Sequence, residues 1–201
     1  MATRERILEA ALEMFSERGF GAVSIRNICG EVGIKESTVY YHFKNKQDIL
    51  DCLMARFEEH VDALLGVLRS ALPSAHEGLS FDWMDAYFFE QYLFDPFCNR
   101  MMRLMMIEQF HNEQLRAAYE RWLFEEPYAV ETSAFRMLSE AGLLSEAEAA
   151  RTGRDFHAFL TTMTFRYLLN GELTQDKKEA FRREVHSYMA SLFARRGGEH
   201  V

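Results

Sequence analysis

Residues that stop helices are scarce in this chain. There are 3 prolines, Pro73, Pro96 and Pro127, among 201 residues, and 48% of the sequence is hydrophobic. Such a chain can bury a core, reads most simply as one small domain followed by a larger one, and shows no sign of disorder. Cysteine is as sparse. Cys29, Cys52 and Cys98 are odd in number and form no C-x-x-C pair, which argues against a disulfide framework, suits a reducing cytosol and reads as three small buried thiols. No apolar run approaches the length of a membrane span, and the first residues, MATRER, are charged. Neither a signal peptide nor an anchor is therefore expected, the protein is read as cytoplasmic, and no membrane partner is assigned. Also missing are G-x-S-x-G, H-E-x-x-H and any phosphate-cradling glycine loop, so nothing asks for catalysis or a cofactor. Glu108-x-x-His111 has the i, i+3 spacing of metal sites in helical bundles, but a single copy without a partner supports no metal site.

Positive charge is in short supply too. The formal net charge is −8 and the pI about 5.4, a balance that repels phosphate backbones. Its distribution changes the picture. Residues 1–50 hold seven Lys or Arg and seven Asp or Glu, so the whole deficit lies in the rest, with 16 basic against 24 acidic residues. Any binding of nucleic acid must then rest on a few well-placed cations, depend strongly on salt, and gain little from non-specific adhesion.

What the chain does have is a dense signal between Ser24 and Lys46, spelled SIRNICGEVGIKESTVYYHFKNK. The stretch reads as two short helices joined at Gly33. Ser24 suits an N-cap, its hydroxyl accepting a backbone N–H of the first turn. Ile25, Ile28, Cys29 and Val32 give the first helix an apolar underside. Gly33 can take a positive φ, so the chain turns there. The second helix, about Glu36 to Phe43, sets Val39 and Phe43 on one face and leaves Ser37, Thr38, Tyr40, Tyr41 and His42 on the other. A short helix held by a few apolar residues and presenting polar tips is what a helix-turn-helix inserts into a DNA major groove. Upstream, Ile7 to Phe20 supplies a third amphipathic helix ending at Gly19, enough to cover both undersides.

Residues 4–50 resemble the DNA-binding domain of the TetR family of bacterial transcriptional regulators. The matching residues are Ile7, Leu8, Ala10, Ala11, Phe15, Gly19-Phe20, Ser24-x-Arg26-x-Ile28, Gly33-Ile34, Thr38-Val39-Tyr40 and His42-Phe43-Lys44-Asn45-Lys46, leading to Leu50. The resemblance in motif covers about a quarter of the chain; the rest matches in length and helical layout. It implies an all-α protein: an N-terminal three-helix helix-turn-helix domain, 1–46, then a larger helical ligand-binding and dimerisation domain, 47–201. Carried over residue by residue, Ser24, Arg26, Lys35, Ser37, Thr38, Tyr40, Tyr41, His42 and Lys46 become the DNA contacts, with Lys46 a phosphate anchor. Arg4 and Arg6 either reach phosphates or are a solvated helix start. Three residues depart from the pattern: Lys35 where the family often has a Ser or Thr cap, Cys29 where it often has Ala, and Glu36 at the start of the reading helix. Glu36 either accepts from a cytosine N4 or caps its own helix.

From Lys46 to about Leu72 apolar residues recur at helical intervals, predicting a helix of about 25 residues and about 38 Å that ties reader to body. Pro73-Ser74 and Gly78 then break the chain. Between Phe81 and Tyr128 lie 13 of the 27 aromatics and five of the 11 methionines. Methionine adapts to irregular space or ligands, and in the resembled family this domain holds an inducer pocket. Trp83, Tyr87, Phe88, Tyr92, Met101, Met105, Gln109, Phe110, His111 and Trp122 are the expected lining for a small lipophilic or aromatic ligand; plain core is the other reading. Farther on, Phe156, Leu160, Met163 and Tyr167 are spaced 4, 3, 4, and Phe181, Val185, Tyr188 and Leu192 repeat that spacing. Both segments carry further apolar residues beside the stripe, more than one chain covers, so they are expected to form a homodimer's four-helix seam. The function expected is a ligand-responsive repressor that binds a pseudo-palindromic operator as a dimer. The alternative is a helical interaction module of the same fold regulated by a protein partner.

Overall fold

A computed structural model describes residues 2–71 and 85–194, and the side chains of these except 68–71, 87, 193 and 194. Among the described residues every regular element is helical, as expected. The order is α1 (Thr3–Arg18), α2 (Ile25–Val32), α3 (Glu36–His42), α4 (Lys46–Ala71), α5 (Asp85–Leu93, of π type), α6 (Pro96–Glu108), α7 (Glu113–Glu120), α8 (Glu126–Glu140), α9 (Glu146–Met163) and α10 (Gln175–Ala194). π turns at Arg121–Glu125 and Thr164–Leu168 lead into α8 and out of α9. The break expected at Pro73-Ser74 and Gly78, and Trp83, lie outside the described residues. The chain forms two compact units, Met1–Leu65 with Arg100–Trp122, and Gly66–Asn99 with Leu123–Val201.

The first unit is built on α1. Its Ile7, Ala11, Leu12 and Phe15 are wholly buried, one stripe at helical spacing. The helix stops at Gly19, whose φ of +83° an L side chain rarely adopts and whose N–H donates to Phe15 O at 3.0 Å. Ser24 caps α2 with its hydroxyl on Asn27 N–H at 3.2 Å, while the Asn27 side chain returns to Ser24 N–H at 2.8 Å; two orphan donors are satisfied reciprocally. Gly33 closes α2 in the left-handed region, its N–H on Cys29 O at 2.9 Å. Ile28 of α2, Val39 of α3 and Ile49, Leu50 and Phe57 of α4 complete this core, each contributing on the order of 1.5–3 kcal/mol by burial. Phe57 meets Trp122 edge-on at 5.9 Å.

In the second unit α8 and α9 approach closely because Gly153 has no side chain: a Cβ there would meet Thr132 Cγ2 at 3.2 Å and Cα at 3.3 Å. Phe89, Phe94 and Phe181 pack with ring centroids 5.1 to 5.9 Å apart, distances at which tilted and edge-on aromatic pairs are favourable. Arg182 is paired with Asp85 at 2.7 Å and with Glu90. Between α8 and α9, the buried Glu131 carboxylate lies 2.8 Å from His157 Nδ1.

Both π turns alter what periodicity predicts. A single helix from Glu113 to Gly142 bent at Pro127 is instead α7 and α8 joined through Arg121–Glu125. Pro127 cannot donate to the ladder, and the wider turn stands just before it. The even 4, 3, 4 spacing from Phe156 to Tyr167 reads as one straight stripe. At Thr164–Leu168 the Leu169 N–H reaches back five residues to Thr164 O, at 3.1 Å. The register shifts: Leu168 takes the wholly buried place, and Tyr167 is left half-buried with its hydroxyl 3.4 Å from Glu184.

Candidate nucleic-acid interface

The reading helix is short and anchored from below. Val39 and Phe43 are buried with Ile28 and Val32 of α2, which fixes α3 on α2 and leaves its other side to solvent. On that side Ser37 is exposed, Tyr40 is 53% exposed and Tyr41 84% exposed. Large aromatic groups held this far into water are uncommon in a finished surface. Thr38 and His42 are half-buried; the His42 ring stands edge-on to Tyr41 at 5.0 Å. Phe43 breaks the helix with extended backbone, φ −139°.

A surface groove of about 700 Å³ runs across the α2–α3 turn, lined by Arg26, Cys29, Gly30, Gly33, Ile34, Lys35 and Glu36. Arg26, its side chain 88% exposed, reaches Glu36 at 3.3 Å. The Glu36 carboxylate is thereby turned to a cation on the neighbouring helix, and Lys35 caps α3 through no side-chain bond. Burial, and then the Glu36 charge, push the Cys29 thiol up, so it stays protonated and unreactive.

The cations at the edge of this face are already engaged. Arg6 donates to Val32 O at 2.6 Å, closing the end of α2, and Arg4 contacts Cys52 Sγ at 3.3 Å and lies over the Phe43 ring. Neither is the solvated helix start considered above. Lys46 donates to Phe20 O at 2.6 Å and Val23 O at 2.7 Å. Ser24 is spent in its cap. Of the nine residues expected to contact DNA, Arg26, Lys35, Ser37, Tyr40 and Tyr41 are thus the open ones. The sequence gave no notice of Asn27's half of the cap or of the Arg6 bond, since neither belongs to a face with a period.

The ten residues expected to line a ligand pocket fall in both units. Met101, Met105 and Trp122 are buried in the first, and Phe88 and Tyr92 in the second. Gln109 turns back to its own helix, donating to Met106 O at 2.8 Å. Phe110, 83% exposed, and His111 stand on the surface, because α6 ends at Glu108 and the chain turns there. Trp83 and the Tyr87 side chain are outside the described residues. Burial, followed by the charges of Cys98, Glu126 and Glu131, holds the Tyr92 hydroxyl protonated. A separate recess of about 540 Å³ between α8 and α9 includes Tyr128, Thr132, Arg136 and Arg154 in its lining, and none of the ten.

Of the eight residues expected at a dimer seam, Phe156, Leu160, Met163, Phe181 and Val185 are buried by their own chain. Phe156 meets Phe135 at 5.5 Å. Tyr167, Tyr188 and Leu192 are half-buried, and Tyr188 stacks on Phe159 at 4.1 Å.

A capped helix, a left-handed glycine turn and a short second helix with an apolar underside and polar tips make a helix-turn-helix of the DNA-reading kind, carried on an all-helical body. Residues 7–53 match the family described as bacterial regulatory proteins, tetR family. The chain is similar to the HTH-type transcriptional regulator UidR of Escherichia coli (strain K12), 37% identical over 70 residues, which is 31% of this chain and 36% of that protein. It is similar also to the Escherichia coli tetracycline repressor protein class D, 40% identical over 50 residues, 25% of this chain and 23% of that one. The chain thus spans about a third or less of the length of these curated relatives. The fold match is longer: a transcriptional regulator from Saccharomonospora viridis, solved in complex with choline, superposes with a TM-score of 0.58 over 93% of this chain and 95% of that one, at 21% identity. The N-terminal domain therefore belongs to the tetR family, and the described chain has the fold of that family's solved members.

Proposed function

We propose that this protein is a cytoplasmic DNA-binding repressor that reads a pseudo-palindromic duplex as a homodimer and is released by a small molecule. The observation that carries the reading is the α3 face: Ser37, Tyr40 and Tyr41 are held in water by the buried Val39 and Phe43, with Arg26 and Lys35 beside them. Short polar and aromatic side chains read base edges and phosphates, and a rigid underside keeps them in register. Two such helices meet successive major grooves when their centres lie about 34–36 Å apart or a multiple of it. The seam that sets this spacing falls to the half-buried Tyr167, Tyr188 and Leu192 and to Phe159 beside them, since the stripe next to them is filled from within. The released state follows from a ligand that binds one spacing better than the other. A buried aromatic and methionine-rich interior suits a lipophilic molecule, and the choline complex of the Saccharomonospora viridis regulator is a precedent for a small ligand on this fold.

The test is selection of a duplex from a random pool by the purified protein, followed by gel shift of that duplex against scrambled competitor. Tyr40→Ala and Tyr41→Ala are expected to lose the preference. Binding by both variants as by wild type would remove α3 as the reader.

A further inference from the structure

Glu108 is the last residue of α6 and is only 6% exposed. A carboxylate taken out of water costs free energy unless something offsets it, yet its side chain makes no hydrogen bond among the described residues. It is pressed against the reader: a Cβ on Gly19 would come within 2.6 Å of Glu108 Oε1 and 3.5 Å of Ile107 Cγ2. Gly19 ends α1, and the segment it opens is the one that Lys46 clamps. The Lys46 ammonium takes Phe20 O and Val23 O and sits 4.2 Å over the Phe20 ring. Burial lowers the Lys46 pKa, and the Glu108 charge opposes that loss. Near the other end of the same stretch of α6, Arg100 pairs with Glu9 of α1 at 2.7 Å. The two contacts follow in the same order along both helices, Arg100 to Glu9 and Glu108 to Gly19, so α6 is tied to α1 at two points.

We propose that Glu108 is a positioning residue for DNA reading: its buried carboxylate holds the Gly19–Val23 turn and, through the charge it lends to Lys46, fixes the start of α4 and with it the pitch of α3. This rests on the DNA-reading function proposed above. It also assigns Lys46 a role other than phosphate anchor. An ammonium bound to two backbone carbonyls beside a carboxylate stiffens the turn, and few of its protons remain for a phosphate. The glycine at position 19 has a second reason beyond its φ, because only a residue without Cβ lets the carboxylate close on the turn.

The experiment measures affinity for the selected duplex over a range of salt for wild type, Glu108→Gln, Glu108→Asp, Lys46→Met and the Glu108→Gln/Lys46→Met double variant, with circular dichroism on each. Glu108→Gln is expected to weaken binding about tenfold, or about 1.4 kcal/mol, with the salt dependence unchanged. Lys46→Met is expected to weaken it likewise with the same slope, and the double variant to lose no more than the worse single one, as residues acting as one unit do. Glu108→Asp keeps the charge but falls short of Gly19, and is expected to lie between wild type and Glu108→Gln. A Lys46→Met slope lower by about 0.9 would make Lys46 a phosphate contact after all and overturn the proposal. So would additive losses, or a Glu108→Gln protein that binds as wild type. If a variant is unfolded by circular dichroism, Glu108→Asp alone decides. A wild-type protein that selects no duplex removes the DNA-reading function itself and this inference with it, an outcome distinct from the others.

Discussion

The two units handle polar groups in opposite ways. In the reader, apolar residues lie beneath and the polar and aromatic tips of α3 stand in water, with Tyr41 84% exposed. In the second unit, aromatic rings fill the interior and polar groups go in with them: Tyr92, Asn99, Glu131 and Thr152 are all buried. Asn99 donates to Leu168 O at 3.0 Å, and Glu131 holds His157. A surface meant for another molecule leaves its hydrogen-bonding capacity unspent, whereas a scaffold uses its own up. By that measure α3 is the contact surface and the α8–α9 hairpin is scaffold.

The contrast can be broken at several points. Phe181→Ala, which empties the space against Phe89 and Phe94, is expected to cost about 3–5 kcal/mol, read as a large fall in thermal midpoint; a change under 1 kcal/mol would mean that this ring cluster is loosely packed. Tyr41→Ala is expected to leave the melt within about 0.5 kcal/mol while removing about 1–3 kcal/mol of preference for the selected duplex. Should the melt fall instead, the ring is structural and the contrast fails on the reader's side. Ser24→Ala, which removes the cap of α2, is expected to cost about 1 kcal/mol, measured by chemical denaturation.

The smallest effect is on pH dependence. Burial raises the Glu131 carboxyl above its ordinary 4.5, partly offset by His157. The folded state therefore binds its proton more tightly than the unfolded chain. This group's contribution is fully present below pH 4.5 and is lost as the pH rises through the higher folded value. Glu131→Gln keeps a partner for His157 and is expected to flatten stability against pH in that window. An unchanged profile would show that the carboxylate is less buried than its surroundings indicate.

The reader was legible because its signals are local. Ser24, Gly33, Val39 and Phe43 act through neighbours three or four residues away, and spacing reports such partners directly. Lys46 was legible as a cation at the right place but not as one turned inward, since its acceptors, Phe20 O and Val23 O, are backbone atoms that no side-chain pattern marks. Phe110 and His111 were misplaced because their apolar and polar character continues that of α6 past its actual end. The dimer stripe was read from a surplus of apolar residues, and periodicity says that a face is covered without saying by what. Much of that cover is intramolecular: Phe135 against Phe156, and Phe89 and Phe94 against Phe181.

The wide turn at Thr164–Leu168 has a use in a helix of this length. A regular helix advances about 100° per residue, so one extra residue held in a loop of backbone re-aims everything that follows without moving what came before. Deleting one residue from the turn would rotate Leu168 and Leu169 out of the core and swing the Asn170-Gly171 corner about a third of the way round the axis. The point at which α10 begins its return would move with it.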